Sequence, residues 1–269
     1  MGKKVKNPRL TPPCAGWEAD LSFPTRQSLT VATLGYDTPN HIDDTYLEIS
    51  RSSNRRRGVL IWLSLLLAAS YFFLLDLSQA FNQQHLGVIS LWIGTTALAA
   101  WTISTTLRHD LSPPRDEPIR LNRARQKIFA YNFKFQWWNP FEPGHIETVA
   151  YDWTQVRAES WKLRKATTHG IITTWGVVIS IVDPGTNNVI DRFPLTTMGA
   201  DESAWAYICT YMQHGPSKLP TPGPPRDHDN VPWYNLALRL APKVKWPEDM
   251  DRESRTAPRS LAAQLAGDA

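Results

Sequence analysis

The strongest constraint on this chain is where its charge is missing. Between Arg57 and Arg108 there is no Lys or Arg, and the one acid is Asp76. Two apolar runs fill the gap, from Gly58 to Leu75 and from Leu86 to Leu107. A helix needs about 20 mainly apolar residues to cross roughly 30 Å of hydrocarbon, and each run approaches that length. Neither contains an interior Pro or charge, and neither shows the polar face of a surface helix. The pattern predicts two transmembrane helices, 58–77 and 86–107, joined by a short loop on the far side.

The flanks of the gap are basic. Arg55, Arg56 and Arg57 precede the first run, and Arg108 and Arg115 follow the second. Because Lys and Arg near a span resist translocation, these five residues are expected to determine topology, with both termini cytoplasmic. Ser90/Gly94 and Ala100/Ser104 are small residues at helical spacing that would let the helices approach closely, although ordinary small-residue content reads equally well. Asp76 and His85 sit at the tip, where two ionisable groups are easily hydrated and need no function. The basic N-terminus has no apolar stretch behind it, so the hairpin itself is expected to direct insertion.

Composition narrows the rest. With 42% hydrophobic and 11% aromatic residues, the chain is no disordered polyelectrolyte. Two cysteines, Cys14 and Cys209, allow at most one bridge, which excludes a disulfide scaffold and predicts free thiols in a reducing compartment.

Residues 1–57 form an N-terminal region with short β-like pieces. A Pro-rich linker follows the hairpin, and 116–216 reads as a folded α+β domain. Phe129, Tyr131, Phe133 and Phe135 alternate with smaller or polar residues, the period of a half-buried strand. Residues 171–182 are rich in β-branched side chains and run into the turn formers of 183–188. Then the period changes. Trp205, Ile208, Cys209 and Met212 fall at i, i+3, i+4 and i+7 behind an Asp201 N-cap, and Gly215-Pro216 ends the helix. Strands closed by one such helix would bury its stripe against a sheet. Residues 217–269 form a Pro-rich tail with a short helix near 232–240 and a charged end.

No chemistry is advertised. Gly-rich phosphate loops, a nucleophile elbow and metal-ligand spacing are all missing from the sequence, so no catalytic, cofactor-binding or metal residue is predicted, and the chain is not expected to be an enzyme. His214, Asp227, His228 and Asp229 fall in a segment of turn residues and read as a solvated loop. Cys209 lies on the apolar stripe and reads as a structural thiol. Two features suggest partners instead. Trp137, Trp138 and Phe141 place three rings beside Pro140, either as an exposed contact for a partner protein or the bilayer surface, or as core packing. Arg120, Arg123, Arg125 and Lys127 form a juxtamembrane basic run, read as a topology determinant before a grip on anionic headgroups. Nucleic-acid binding has no motif and is not expected.

The order of basic flank, helical hairpin and strands closed by one helix resembles bacterial membrane proteins carrying a pleckstrin-homology-like domain, an antiparallel sheet or barrel. The segments 119–129, 151–153, 191–194, 205–212 and 232–237 are similar to an uncharacterised proteobacterial family known only as a domain of unknown function, over roughly residues 45–255. That resemblance implies a bacterial inner-membrane location and neighbourhood with type VI secretion effectors. It further implies an immunity protein that neutralises a membrane-acting toxin by contact with it or with a secretion component. The alternative is a membrane-anchored scaffold or sensor whose domain binds a cytoplasmic protein or anionic lipid. A homo-oligomer is compatible with either.

Overall fold

The computed structural model describes residues 7–24, 30–34, 38–51, 57–79, 86–136, 139, 142, 144–168, 170–197, 202–221, 223–224 and 231–258, with side chains at 74–79, 86–89 and 197 left aside. Nine strands run through it: β1 (Trp17–Asp20), β2 (His41–Ile42), β3 (Tyr46–Ile49), β4 (Ile119–Asn122), β5 (Lys127–Lys134), β6 (His145–Asp152), β7 (Val156–Thr167), β8 (Gly170–Val182) and β9 (Val189–Thr197). Helices α1 (Val59–Gln79) and α2 (Leu86–Leu111) separate β3 from β4. Helices α3 (Glu202–His214), α4 (Leu236–Leu240) and α5 (Glu248–Arg255) follow the strands.

The strands form two antiparallel sheets, β1-β7-β8-β9 and β2-β3-β4-β5-β6. The N-terminal region therefore contributes to both, with β3 opposite β4 (Leu47↔Leu121) and β1 opposite β7 (Asp20↔Glu159). The inner faces meet in one core that includes Leu47, Ile119, Leu121, Ile128, Val177, Ile179 and Ile181. Helix α3 lays its apolar stripe on this core. Trp205, Ile208, Cys209 and Met212 are all buried, Trp205 packs 5.6 Å from Trp153, and its indole N–H donates to the Ser22 carbonyl at 2.9 Å. The stripe was legible because 3.6 residues per turn puts those four positions on one side. Asp201, expected as the N-cap, lies outside the described residues.

Strand β5 departs from its expected half-burial. Ile128 and Ala130 face the main core, whereas Phe129 and Tyr131 are equally buried on the other side, against Trp246. The cover comes from the charged C-terminal segment, which packs across the outer face of the five-stranded sheet. Arg120 on β4 is 3% exposed; its guanidinium lies 4.6 Å from the Trp246 ring and pairs with Glu48, Asp251 and Ser254. The Asn122 amide donates to the carbonyls of Ser254 and Thr256 at 3.0 Å each, capping the end of α5. Arg125 donates to the Thr256 carbonyl, and Lys127 pairs with Glu253 at 2.8 Å. Three members of the basic run thus hold the chain's own C-terminal segment.

Two expectations are corrected here. The first is the pair of transmembrane helices over 58–77 and 86–107, and with it the bilayer-spanning architecture and the inner-membrane location with cytoplasmic termini. Helices are present, but among the described residues none is long and apolar enough to cross a membrane. In α2 the stretch 90–107 interleaves Thr95, Thr96, Thr102, Ser104, Thr105 and Thr106 among its apolar residues, which lowers its hydropathy. The second correction concerns the pleckstrin-homology-like sheet or barrel closed by one helix. Among the described residues the fold is α+β with two separate antiparallel sheets and no closed barrel. A 3-10 turn at Trp153–Gln155 carries the chain from β6 into β7, and the ladder does not continue across it. Nor does one helix close the fold, because α5 and Trp246 cover a face that α3 does not reach.

Candidate interaction site at the base of the helical hairpin

Helix α1 starts immediately after Gly58, whose φ of +99° suits glycine and whose missing side chain leaves room for Asn235. The first turn of a helix has backbone N–H groups without intrahelical partners. Here Asp110, near the end of α2, supplies the acceptor: its Oδ2 takes the N–H of Gly58 and of Ile61, each at 3.1 Å. Asp110 is 4% exposed, so its carboxylate replaces water with two donors and the positive end of α1. One side chain thereby closes the hairpin at its base. Arg57 completes the junction by donating to the carbonyls of Asp110, Pro113 and Pro114. Burial lowers the Arg57 pKa from its ordinary value, opposed by Asp110 and Glu117.

Helix α4 docks on the same junction. Asn235 caps it by accepting from the Leu238 N–H at 3.1 Å, and its amide donates to the Arg57 carbonyl at 3.1 Å. The Trp62 indole donates to the Tyr234 carbonyl at 3.1 Å. Around this junction opens a solvent-facing cleft of about 520 Å³, lined by Arg115, Val231, Trp233 and Arg239. Trp233 is 77% exposed and meets Tyr234 edge to face at 6.0 Å. Two guanidinium groups and two exposed rings are thus gathered beside the hairpin.

Between the helices the contacts are polar as well as apolar. Ser64 and Thr106 share a hydrogen bond at 2.6 Å, and Tyr71 bonds to Thr96. The small-residue pairing is not what brings the helices together at Gly94, because a Cβ there would meet nothing within 4 Å. The outward surface is apolar. Leu66, Phe72, Phe73, Leu91, Ile93 and Leu98 are each about two-thirds exposed. Large apolar side chains exposed in that number over two helices exceed what a surface left to water ordinarily carries.

Of the expected site residues, Arg57 and Arg115 come together at this base, and Arg108 lies two residues before Asp110 on α2. Arg55, Arg56, Trp137, Trp138 and Phe141 lie outside the described residues, as do His85, Asp227, His228 and Asp229. Near the aromatic run, Phe133 stacks on Phe135, and His109 meets Phe135 edge-on, each at 5.5 Å. Sequence reasoning missed Asp110 and Asn235. The signal for Asp110 was an acid at the end of one apolar run facing a Gly at the start of the other, a pairing visible only once the two runs are folded back.

The buried carboxylate of β7 has a structural role. Glu159 is fully buried and accepts from the Cys14 N–H at 3.1 Å, from the Ser180 hydroxyl and from Arg192 at 3.2 Å, pinning the N-terminal segment to the outer face of the four-stranded sheet. Both thiols are free and buried. Burial pushes Cys14 up to about 12, helped by the Glu159 charge, and pushes Cys209 up to about 12. Such thiols are poor nucleophiles near neutrality. Among the described residues no group of three or more His, Cys, Asp or Glu is placed to hold a metal ion.

A protein-family model described as a family of unknown function (DUF6708) matches residues 96–258, from the middle of α2 to just beyond α5. No curated protein matches, and no solved structure matches.

Proposed function

The chain belongs to the DUF6708 family of unknown function, and on that premise we propose that it is a protein-interaction module rather than a catalyst. One observation supports this above the others: the exposed apolar surface of the α1–α2 hairpin, which gains free energy when something apolar is laid against it. In its specific form the proposal is an immunity protein of a type VI secretion cluster in a proteobacterium, which neutralises a toxin by direct contact. The test is co-expression with the toxin encoded beside it. Protection together with a co-purified complex is expected, and both are lost on Phe72→Asp or Leu91→Asp while residues 116–258 keep their protease pattern. If neither protection nor a complex is obtained, the immunity reading fails.

A second reading is favoured by the cleft at the hairpin base, where Arg115 and Arg239 stand beside Trp233 and Tyr234. Guanidinium groups beside amphipathic rings suit an anionic headgroup, as a scaffold or sensor would require. Binding to vesicles rich in phosphatidylglycerol but not phosphatidylcholine, weakened by Arg115→Glu and by salt, supports this reading. Equal binding to both vesicles excludes it.

A further inference from the structure

Strands β7 and β8 outrun their sheet. The β1 ladder ends at Trp17↔Trp161, with one more bond from Lys162 N–H to the Gly16 carbonyl, and the β9 ladder begins at Gly176↔Thr197. Beyond those points β7 and β8 pair only with each other, from Lys162↔Trp175 to Thr167↔Gly170. Among the described residues the result is a two-stranded ribbon with both long edges open, each a row of backbone donors and acceptors without a neighbouring strand.

The composition of the ribbon is lopsided. From Ser160 to Val182 there is no Asp or Glu, while Lys162, Arg164 and Lys165 all lie in its first strand and are exposed. Side chains directly opposite one another share a face. Val156↔Ile181 and Ala158↔Ile179 mark the core face in the body of the sheet, and the same face continues outward as Lys162↔Trp175, Arg164↔Thr173 and Ala166↔Ile171. A surface that is buried core at one end thus becomes basic and aromatic at the other. Ile171 is 72% exposed and Ile172 55%.

We propose that this ribbon receives an extended acidic segment of a partner protein, added as a further strand along the open edge of β7, with carboxylates on the face that carries Lys162 and Arg164 and apolar side chains on the opposite face beside Leu163. Edge addition supplies backbone hydrogen bonds, and alternate side chains supply selectivity. Charge argues for this occupant. A second copy would bring two sets of the same three cations together. Nucleic acid is disfavoured because all three cations sit on one strand while the other offers Thr173, Thr174 and apolar groups, a poor match to a regular row of phosphates. The ribbon is separate from the hairpin surface, so failure here leaves the hairpin-dependent complex unaffected.

The experiment is fluorescence anisotropy of the full chain with three labelled probes: an alternating Glu/Val decapeptide, its Lys/Val counterpart and a mixed-sequence duplex DNA. The Glu/Val peptide is expected to bind at least tenfold tighter than either other probe, and to weaken several-fold between low and moderate salt. The double substitution Arg164→Glu, Lys165→Glu should abolish that preference, while Ala166→Pro, which removes a backbone N–H facing the open edge of β7, should weaken binding with the charge unchanged. Circular dichroism and thermal unfolding of both variants, matching the parent, establish that they fold. Equal binding of the two peptides, tighter binding of duplex DNA, or a preference untouched by the double substitution would each overturn the proposal.

Discussion

Arg120→Ala should release the C-terminal segment from the sheet. The guanidinium is 3% exposed and holds Glu48 on β3, Asp251 and Ser254 on α5, and the Trp246 ring at 4.6 Å. Removing one partner of a buried ion pair costs roughly 3–5 kcal/mol, because the remaining charges stay uncompensated. Two facts place this case at the lower end. Asp251 keeps a second cation, Arg255, at 3.1 Å and is 34% exposed, and Glu48 is 17% exposed, so both carboxylates regain some water. The expected loss is about 3 kcal/mol, or a fall in Tm of roughly 6–12 °C for a chain of this size. Arg120→Met keeps the aliphatic stem over Trp246 and should lose about 2 kcal/mol. Thermal unfolding gives the magnitude, and limited proteolysis over 244–256 reports whether α5 has detached. A fall below about 3 °C with unchanged protection of α5 would refute the reasoning.

Gly176→Ala should destabilise by about 2 kcal/mol, measured by chemical denaturation, because the added Cβ would lie 2.2 Å from the Thr196 carbonyl oxygen, where β8 and β9 meet at a bulge. Asp110→Ala should cost about 1–2 kcal/mol and raise hydrogen exchange at Gly58 and Ile61, the two amides its carboxylate accepts from; unchanged exchange there would remove the capping argument. Cys14 and Cys209 should both resist a maleimide at pH 8 in the folded chain and react once it is unfolded. Their folded pKa values are raised from 9.0 to about 12, so this contribution to stability is full below pH 9 and declines as pH rises from 9 toward 12; denaturation midpoints across that window measure it.

Local rules carried part of the fold without help. The stripe at Trp205, Ile208, Cys209 and Met212 announced α3, and the Gly215-Pro216 stop is seen as a Gly with φ of +78° closing on the Tyr211 carbonyl at 2.8 Å. The β-branched run at 171–182 became β8. Alternation misjudged β5, because periodicity reports one buried face and cannot show that a second element covers the other. The polar segment that supplies this cover, with Trp246 and α5, looked like a charged tail. Its salt bridges to Arg120 and Lys127 join residues more than a hundred positions apart.

The candidate sites divide in the same way. The charge gap from 58 to 107 determined by itself that two apolar helices would form, since that composition leaves no better way to satisfy the backbone beside so many large side chains. Whether those helices were apolar enough to cross hydrocarbon depended on what interrupts them, such as the hydroxyls interleaved along α2, and there the sequence reading was overturned among the described residues. The base of the hairpin and the open ribbon were decided only by tertiary structure. Asp110 becomes a cap only when α2 folds back on α1, and Arg164 and Lys165 lie on an open edge, among the described residues, only because the ladders to β1 and β9 end before them. Side-chain periodicity is inherited from the backbone geometry of one element, whereas pairing, capping and exposed edges depend on where other elements end.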